Sequence, residues 1–278
     1  MKKNNKIITG IAVSVIAIGI VLYGLNLIWG NPYSKKLAEQ AANDYIEKNY
    51  PGQQLHIENI LYDVKVNSYV AEVKSETSID NYFSVEISMT GNVKYDTYER
   101  VENGDNTYQR VYEEYRKLVE DVFDDPAFPI EDEIHLGNLV TVENTKNDHD
   151  DLEYGLEPDQ LVRDKQYDVK EQGKRAGHIV CYVKEEEISF EKASELLLQI
   201  KQKMDEAEVP FFAVDLIVEK PDKTEDEESS ENEEIRIYDF LYSDIYVDGL
   251  DKRVEAAHKA LAEYFKAIDA VAADEKIA

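Results

Sequence analysis

Four residues at the start of a predicted helix have a spacing that some enzymes use for catalysis. Ser189-Phe190-Glu191-Lys192 matches the Ser-x-x-Lys pattern, in which penicillin-binding enzymes carry their nucleophile. Those enzymes also need a Lys-Thr-Gly strand, and the closest match, Lys223-Thr224-Glu225, lacks the glycine. A serine directly before an apolar helix also serves as its N-cap, because its side chain accepts a hydrogen bond from the first turn. We therefore predict that Ser189 is a cap and not a nucleophile.

Histidine is the commonest protein ligand for metal ions, and the chain has five. They are scattered along the sequence, and no His-Glu-x-x-His pair places two of them on one helix face, as a zinc-protease site requires. The histidines are His56, His135, His149, His178 and His258. Their spacing predicts no metal site.

The single cysteine, Cys181, lies between Val180 and Tyr182 in an apolar predicted strand. Nothing next to it in the sequence is placed to favour the reactive thiolate, so we predict an inert thiol in the core. One cysteine cannot form an internal disulfide. The fold must therefore be stabilised by burial of apolar side chains.

Two acidic segments have the residue types that bind cations. Asp148-His149-Asp150-Asp151 is too contiguous, since adjacent side chains point in different directions, and we predict a solvated turn. The run 225–234 lacks the alternating ligands and the glycine of an EF-hand loop. Its charge predicts a disordered hairpin tip, with loose binding of calcium or of a basic partner as the alternative. The sequence thus predicts no catalytic, cofactor-binding or metal-ligating residue, and no cofactor.

The composition limits the partners that the protein can have. Its 278 residues carry 31 basic and 59 acidic side chains, which give a formal net charge of −28. So negative a chain repels nucleic acid and anionic lipid headgroups. We expect no nucleic-acid binding and favour a cationic or metal-bridged partner.

One stretch, Ile7 to Trp29, has no charged side chain. As a helix it is roughly 35 Å long, enough to cross a hydrocarbon core of about 30 Å. A cleaved secretory signal is the alternative, but it has a shorter apolar region and a small-x-small cleavage site, which residues 27–32 lack. We therefore predict a transmembrane helix at 7–29 that contacts the lipid bilayer. Three lysines in 1–6 predict a cytoplasmic N-terminus and C-terminal domains outside, in a single-pass protein of the cell membrane.

The remaining sequence divides into two predicted modules. The apolar pattern of residues 34–123 predicts a helix capped by Ser34, then four strands in antiparallel order, and then a closing helix at 105–123. Residues 124–164 are rich in acids, prolines and turn residues, and predict a connection with one strand near 136–142. The modules and the connection predict an α+β fold class, with an antiparallel sheet packed on helices in each module.

The second predicted module covers residues 165–271. A hairpin is expected from strands at 166–170 and 178–183, turned at 173–177. A helix at 189–207, strands at 211–218 and 235–240, and a last helix at 250–271 follow. This order predicts a small split βαβ sandwich.

A junction motif links this chain to a known family. Gly30-Asn31-Pro32-Tyr33-Ser34-Lys35 follows the apolar span and leads into a helix that ends Tyr45-Ile46-Glu47-Lys48-Asn49-Tyr50-Pro51. With its short basic start and the same order of later elements, the sequence resembles the uncharacterised YfjL-like family of single-pass proteins from Gram-positive bacteria. The resemblance covers nearly the whole chain. It implies no activity and supplies no catalytic residues.

These observations predict a membrane-anchored, extracytoplasmic binding or interaction module of the cell envelope. We expect it not to be an enzyme, and its partner to be an envelope protein or a cationic species. The alternative is a cell-envelope hydrolase with an unrecognised active site. Whether a small molecule binds is left open by the sequence.

Overall fold

The chain folds into two compact units. A computed structural model describes residues 24, 30–130, 132–145, 154–221 and 234–275. Unit 1 comprises Met1–Thr107 with Val162–Asp164, and unit 2 comprises Tyr108–Leu161 with Lys165–Ala278. The division therefore falls inside a helix, and residues 108–123 of the helix that was expected to close the first module belong to unit 2.

The structure corrects the predicted fold class. Among the residues that it describes, no helix is both long and apolar enough to cross a membrane. The longest of these helices, Leu250–Glu275, carries charged side chains along its length, as a helix with a solvent-facing side does. The structure therefore does not bear out the fold class that was predicted with a transmembrane helix at 7–29. That segment, apart from Gly24, and residues 1–6 lie outside the described residues.

Helix α1 of unit 1 spans Pro32–Asn49. Its cap is Asn31, whose side-chain oxygen accepts a hydrogen bond from the Ser34 backbone N–H at 2.8 Å. Pro32 fits the first turn because a proline lacks the N–H that this position leaves without a helical partner. The expectation that Ser34 caps the helix is therefore wrong. The apolar side of α1 buries Ala38, Ala42 and Ile46.

The sheet of unit 1 is an antiparallel meander, as the alternating pattern predicted. Its strands, in spatial order, are β1 Leu55–Asp63, β2 Ser68–Ser75, β3 Tyr82–Ser88 and β4 Val93–Asp96. Val73, Val85 and Ile87 from this sheet pack in one core with α1. A short helix, α2 Glu99–Glu102, follows β4.

A carboxylate with several donors ties α1 to β4 in unit 1. Asp96 Oδ2 accepts hydrogen bonds from the hydroxyls of Tyr45 and Tyr50, each at 2.6 Å, and Oδ1 accepts from the Tyr98 N–H at 3.0 Å. Burial by itself would raise the pKa of Asp96, but these three hydrogen bonds hold it below its ordinary value. The charged form is thus the one that the fold stabilises.

Unit 2 is built on a mixed sheet, which differs from the antiparallel sheet expected. The strands, in spatial order, are β5 Asp132–Leu139, β6 Gly177–Lys184, β7 Ala213–Glu219 and β8 Glu234–Leu241. Strands β6 and β7 are adjacent and parallel, and the other pairs are antiparallel. The chain between β6 and β7 forms helix α6, Phe190–Glu206, a crossover that parallel strands require. Because these two strands are neighbours, the βαβ unit is not split.

Four further helices accompany this sheet. They are α3 Asp105–Phe123, which begins in unit 1, then α4 Val142–Thr145, α5 Val169–Ala176 and α7 Leu250–Glu275. Along β6 the side chains alternate, so Ile179 and Cys181 face the core with α3 and α6. His178 consequently lies on the other face of the strand.

Helix α5 occupies the place where a hairpin was predicted. Asp168 caps it, and its side chain accepts hydrogen bonds from the N–H groups of Lys170 and Glu171. Gly177 ends it, and a Cβ on this residue would overlap the hydroxyl of Tyr115 and the carbonyl of Gly173. The glycines interpreted as a turn therefore serve close packing instead, and they bring the chain directly from α5 into β6.

Candidate functional site

Four polar side chains form a largely buried cluster in unit 2. His178 in β6, Asp215 in β7 and Asp239 in β8 come from three adjacent strands, and Tyr154 follows α4 in the sequence. His178, Asp239 and Tyr154 are no more than 9% exposed. The side chain of Asp215 is 20% exposed, so one side of the cluster is open to solvent.

The cluster is held by short contacts between nitrogen and oxygen atoms. His178 Nε2 lies 3.0 Å from Asp215 Oδ1, and His178 Nδ1 lies 3.4 Å from Asp239 Oδ1. The hydroxyl of Tyr154 is 2.5 Å from His178 Nδ1 and 2.7 Å from Asp239 Oδ1. Among the described residues, this histidine and the two aspartates form the group whose ligand atoms, within 4.8 Å of one another, suit a metal ion.

Strand register brings the three residues together. In the parallel pair, His178 is opposite Ala213 and Val180 is opposite Asp215, so His178 and Asp215 lie on the same face of the sheet. Between β7 and β8 the register shifts: Val214 is opposite Phe240 and Leu216 is opposite Ile237. Two residues, Tyr238 and Asp239, therefore oppose Asp215, which is a β-bulge.

The bulge turns Asp239 toward the cluster. Its backbone has a φ of +51°, in the left-handed region that aspartate tolerates better than most residues. Its N–H donates a hydrogen bond to Asp215 Oδ1 at 2.8 Å. The same carboxylate oxygen therefore contacts the Asp239 backbone and the His178 ring. Bulges commonly re-aim a side chain next to functional sites.

Tyr154 is positioned by its own backbone and ring. The Thr145 hydroxyl donates to the Tyr154 carbonyl at 2.6 Å, and Leu156 pairs with Thr141 in an isolated bridge. The Tyr154 ring stacks on Phe212, with ring centroids 4.4 Å apart and an interplanar angle of 22°. These contacts hold the hydroxyl between His178 and Asp239.

Negative charge exceeds positive charge at this site. Two carboxyl groups lie beside one imidazole, so acidic groups outnumber basic groups in the cluster. Tyr238 lies opposite Asp215 in the bulge. Burial is the main cause that raises the pKa of its hydroxyl, and the carboxylate of Asp215 acts in the same direction. The arrangement suits a cation better than an anion or a neutral ligand.

The structure places the residues considered from sequence in several environments. Ser189 caps α6, and its hydroxyl accepts a hydrogen bond from the Lys192 N–H at 3.1 Å, which confirms that prediction. Lys192 Nζ is 3.1 Å from Glu185 Oε1, in an ion pair. Cys181 is fully buried in the core, as predicted. The two acidic segments, 148–151 and 225–233, lie outside the described residues.

The other described histidines are not brought together with His178. His56 is exposed in β1 of unit 1. His135 stacks on Phe123, with centroids 4.8 Å apart, and His258 contacts the backbone of Arg236. The fifth, His149, lies outside the described residues.

The sequence carried a weak signal for the cluster. Asp215 is the one charged residue in the predicted strand Phe211–Val218, and Asp239 is one of two, with Arg236, in the predicted strand Ile235–Phe240. Charged residues are rarely buried unless they are paired, so an acid inside such a strand predicts a partner. The pairing of Asp215 with His178, about 37 residues earlier, could not be inferred from the spacing rules that apply to a single helix or loop.

The fold and the cluster together define an α+β protein of two units with a buried histidine–aspartate site in the second. Residues 4–97 match the family described as YfjL-like, N-terminal domain, and residues 114–255 match the YfjL-like C-terminal domain. The chain belongs to the YfjL-like family, which confirms the resemblance predicted above. All four cluster residues lie in the C-terminal match.

The chain is also similar in sequence to a bacterial protein. The chain is 32% identical over 72 residues to "Uncharacterized protein YfjL" of Bacillus subtilis (strain 168). This match covers 26% of the chain and 31% of that protein, so it spans about a third of the relative's length. No solved structure matches the chain.

Proposed function

We propose that the protein is a binding protein whose unit 2 binds a cation at His178, Asp215 and Asp239. The proposal keeps the expectation of a binding module with a cationic partner. The cell-envelope part of that expectation depended on the membrane anchor and is not carried forward.

A count of hydrogens at the cluster carries the proposal. The three shortest contacts join Nε2 to Asp215, Nδ1 to the Tyr154 hydroxyl, and that hydroxyl to Asp239. Each contact needs one positive hydrogen or ion between two electron-rich atoms. A neutral imidazole and a tyrosine supply one hydrogen each, so two hydrogens serve three contacts. One more positive charge satisfies the third: a bound cation, or a second proton on the imidazole, which the titration with metal ions below distinguishes.

Burial makes that missing cation energetically important. When Nε2 carries no hydrogen, it and the Asp215 carboxylate are two acceptors facing each other at 3.0 Å, and they repel strongly where water is scarce. A bound cation replaces the repulsion by attraction and balances the excess negative charge. The partial exposure of Asp215 leaves a route by which an ion can enter.

Hydrolysis is the second candidate function, and one observation favours it. His178 has an aspartate beside each ring nitrogen, and catalytic histidines are oriented by a carboxylate in this way. The two nucleophiles considered from sequence are placed elsewhere: Cys181 points to the opposite face of β6, and Ser189 caps α6. Binding of a cation therefore accounts for more of the geometry.

Thermal unfolding tests the proposal. The purified full chain is first freed of metal with a chelator, and its unfolding midpoint is measured with magnesium, calcium, manganese or zinc chloride. A cation at 100 times its Kd stabilises the folded state by about 2.7 kcal/mol, which raises the midpoint by roughly 5 °C or more. We expect such a shift with at least one of the four ions.

A matched pair of variants assigns the shift to the cluster. The double variant Asp215→Asn/Asp239→Asn should lose the shift. The double variant Asp121→Asn/Asp205→Asn removes the same charge from other positions of unit 2 and should keep it. If no ion raises the midpoint of the unmodified chain, or if both double variants behave alike, the proposed function is wrong.

A further inference from the structure

We infer that the cation bound in unit 2 is a divalent first-row transition metal ion, with Nε2 of His178 as its nitrogen ligand. The inference rests on the proposed function, because it names the class of ion that the same cluster would bind. Two observations support the inference. One is the chemistry of the ligand atoms, and the other is that one contact is long enough to accommodate an ion.

Only one of the three short contacts has the length that a metal requires. Two ligand atoms on adjacent corners of an octahedron are about 3.0 Å apart when the metal bonds are about 2.1 Å, and on a tetrahedron about 3.4 Å. The contact between Nε2 and Asp215 Oδ1 is 3.0 Å. The two contacts of the Tyr154 hydroxyl, at 2.5 and 2.7 Å, are too short and are suited to hydrogens. Nδ1 lies 3.4 Å from Asp239 Oδ1, but the Tyr154 hydroxyl contacts both of these atoms. The ion therefore lies beside Nε2 and Asp215.

The remaining hydrogens are then fully assigned. Tyr154 donates to Asp239 Oδ1, so the contact between its oxygen and Nδ1 requires the hydrogen on Nδ1. In a neutral ring this tautomer presents the lone pair of Nε2, which is the form that coordinates metals. Ligating histidines usually donate their other N–H to a neighbouring oxygen, as Nδ1 does here.

Asp239 offers the third ligand atom of the group. Its carboxylate, that of Asp215 and the imidazole each offer one atom, and these atoms lie within 4.8 Å of one another. One nitrogen and two carboxylate oxygens neutralise a divalent charge. Three ligands from adjacent strands leave positions for water, as in sites where the metal remains accessible.

The donor set discriminates between classes of ion. Magnesium and calcium prefer ligand sets made of oxygen atoms, whereas imidazole nitrogen favours zinc, iron, nickel and their neighbours. A cluster that used only its carboxylates would not need His178. The nitrogen ligand is thus the feature that separates this inference from cation binding in general.

Isothermal titration of the metal-free full chain with zinc, magnesium and calcium chloride tests the inference. We expect zinc to bind at least about 100-fold more tightly than magnesium or calcium, because only zinc gains from the imidazole. His178→Gln should weaken zinc binding by at least about 100-fold, since loss even of an outer partner costs 10- to 100-fold. His258→Gln, at a partly buried histidine of the same unit, should leave zinc affinity unchanged.

Cobalt(II) provides a second readout that does not depend on affinity alone. Its visible absorption reports the ligand atoms, so the spectrum of the cobalt-loaded chain should change in Asp215→Asn, which preserves the shape of the side chain. Circular dichroism shows whether each variant is folded. If His178→Gln does not fold, Asp215→Asn and its spectrum provide the test.

The outcomes separate this inference from the proposed function. If magnesium or calcium binds at Asp215 and Asp239 as tightly as zinc does, or if His178→Gln binds zinc normally, the transition-metal inference is overturned and cation binding stands. If no cation binds the unmodified chain, both are overturned. Zinc selectivity that is lost in His178→Gln and kept in His258→Gln supports both.

Discussion

The two units of this protein each use tyrosine hydroxyls and aspartate carboxylates, but in different ratios. In unit 1, Asp96 accepts from Tyr45, Tyr50 and the Tyr98 N–H, so three donors serve one carboxylate. In unit 2, one tyrosine, one imidazole and the Asp239 backbone N–H serve two carboxylates. The first arrangement is complete by itself and stabilises the fold. The second lacks one positive charge, which is why we assign binding to it.

The comparison is sharpest for the tyrosine of each network. Tyr154→Phe removes the hydroxyl that orients both His178 and Asp239, and we expect it to weaken zinc binding by about 10- to 100-fold. Tyr50→Phe, which removes a hydroxyl bonded to Asp96, should not alter zinc affinity. Isothermal titration of the two variants measures the difference. Equal zinc affinities would show that Tyr154 has no role at the site.

Replacing an aspartate should lower the stability of the protein more in the network of unit 1 than in the network of unit 2. Asp96→Asn removes charge-assisted hydrogen bonds, and we expect the free energy of unfolding to fall by about 2 kcal/mol. Asp215→Asn in the metal-free protein should cost less than about 1 kcal/mol, since the amide oxygen still accepts from Asp239 and the repulsion between carboxylates decreases. Urea unfolding of both variants provides the measurement. A larger loss in Asp215→Asn would indicate that this cluster is structural.

Acid should act on unit 1 through Asp96. Its pKa is lower in the folded protein than in the unfolded chain, so its contribution to stability is complete above the unfolded value of about 3.9. The contribution is lost as the pH falls through the lower, folded value. The difference in unfolding free energy between the unmodified chain and Asp96→Asn should therefore shrink between pH 6 and pH 3. A difference that grows on acidification would contradict the role given to Asp96.

The smallest expected effect is that of Ser189. Ser189→Ala removes the cap of α6, and we expect a loss of about 1 kcal/mol in stability with no change in zinc affinity. Asn31→Ala, which removes the cap of α1 in unit 1, should cost a similar amount. Thermal unfolding measures both. Covalent labelling of Ser189 by a penicillin or a fluorophosphonate would instead show that it is a nucleophile.

Periodicity predicted most elements because burial follows a local rule. The alternation at 82–89 and the apolar stripe at 189–207 correspond to β3 and α6, since one face of each packs in a core. The hairpin near 166–183 was wrong, because Gly173 and Gly177 are required by the approach of Tyr115. That contact joins residues far apart in the sequence, and no local pattern reports it.

The candidate site could not be predicted for a related reason. Its geometry depends on the register of β7 with β8, where a bulge places both Tyr238 and Asp239 opposite Asp215. A shift of one residue in register would turn Asp239 to another face. The sequence identifies Asp215 and Asp239 as unusual acids, but their meeting with His178 is a property of strand order.

X-ray diffraction from crystals of the full chain grown with zinc, with data collected at the zinc absorption edge, tests the central claim most directly. We expect an anomalous peak about 2.0 to 2.2 Å from Nε2 of His178 and from a carboxylate oxygen of both Asp215 and Asp239. A strong peak at other residues, with His178 still contacting Asp215 directly, would contradict the account.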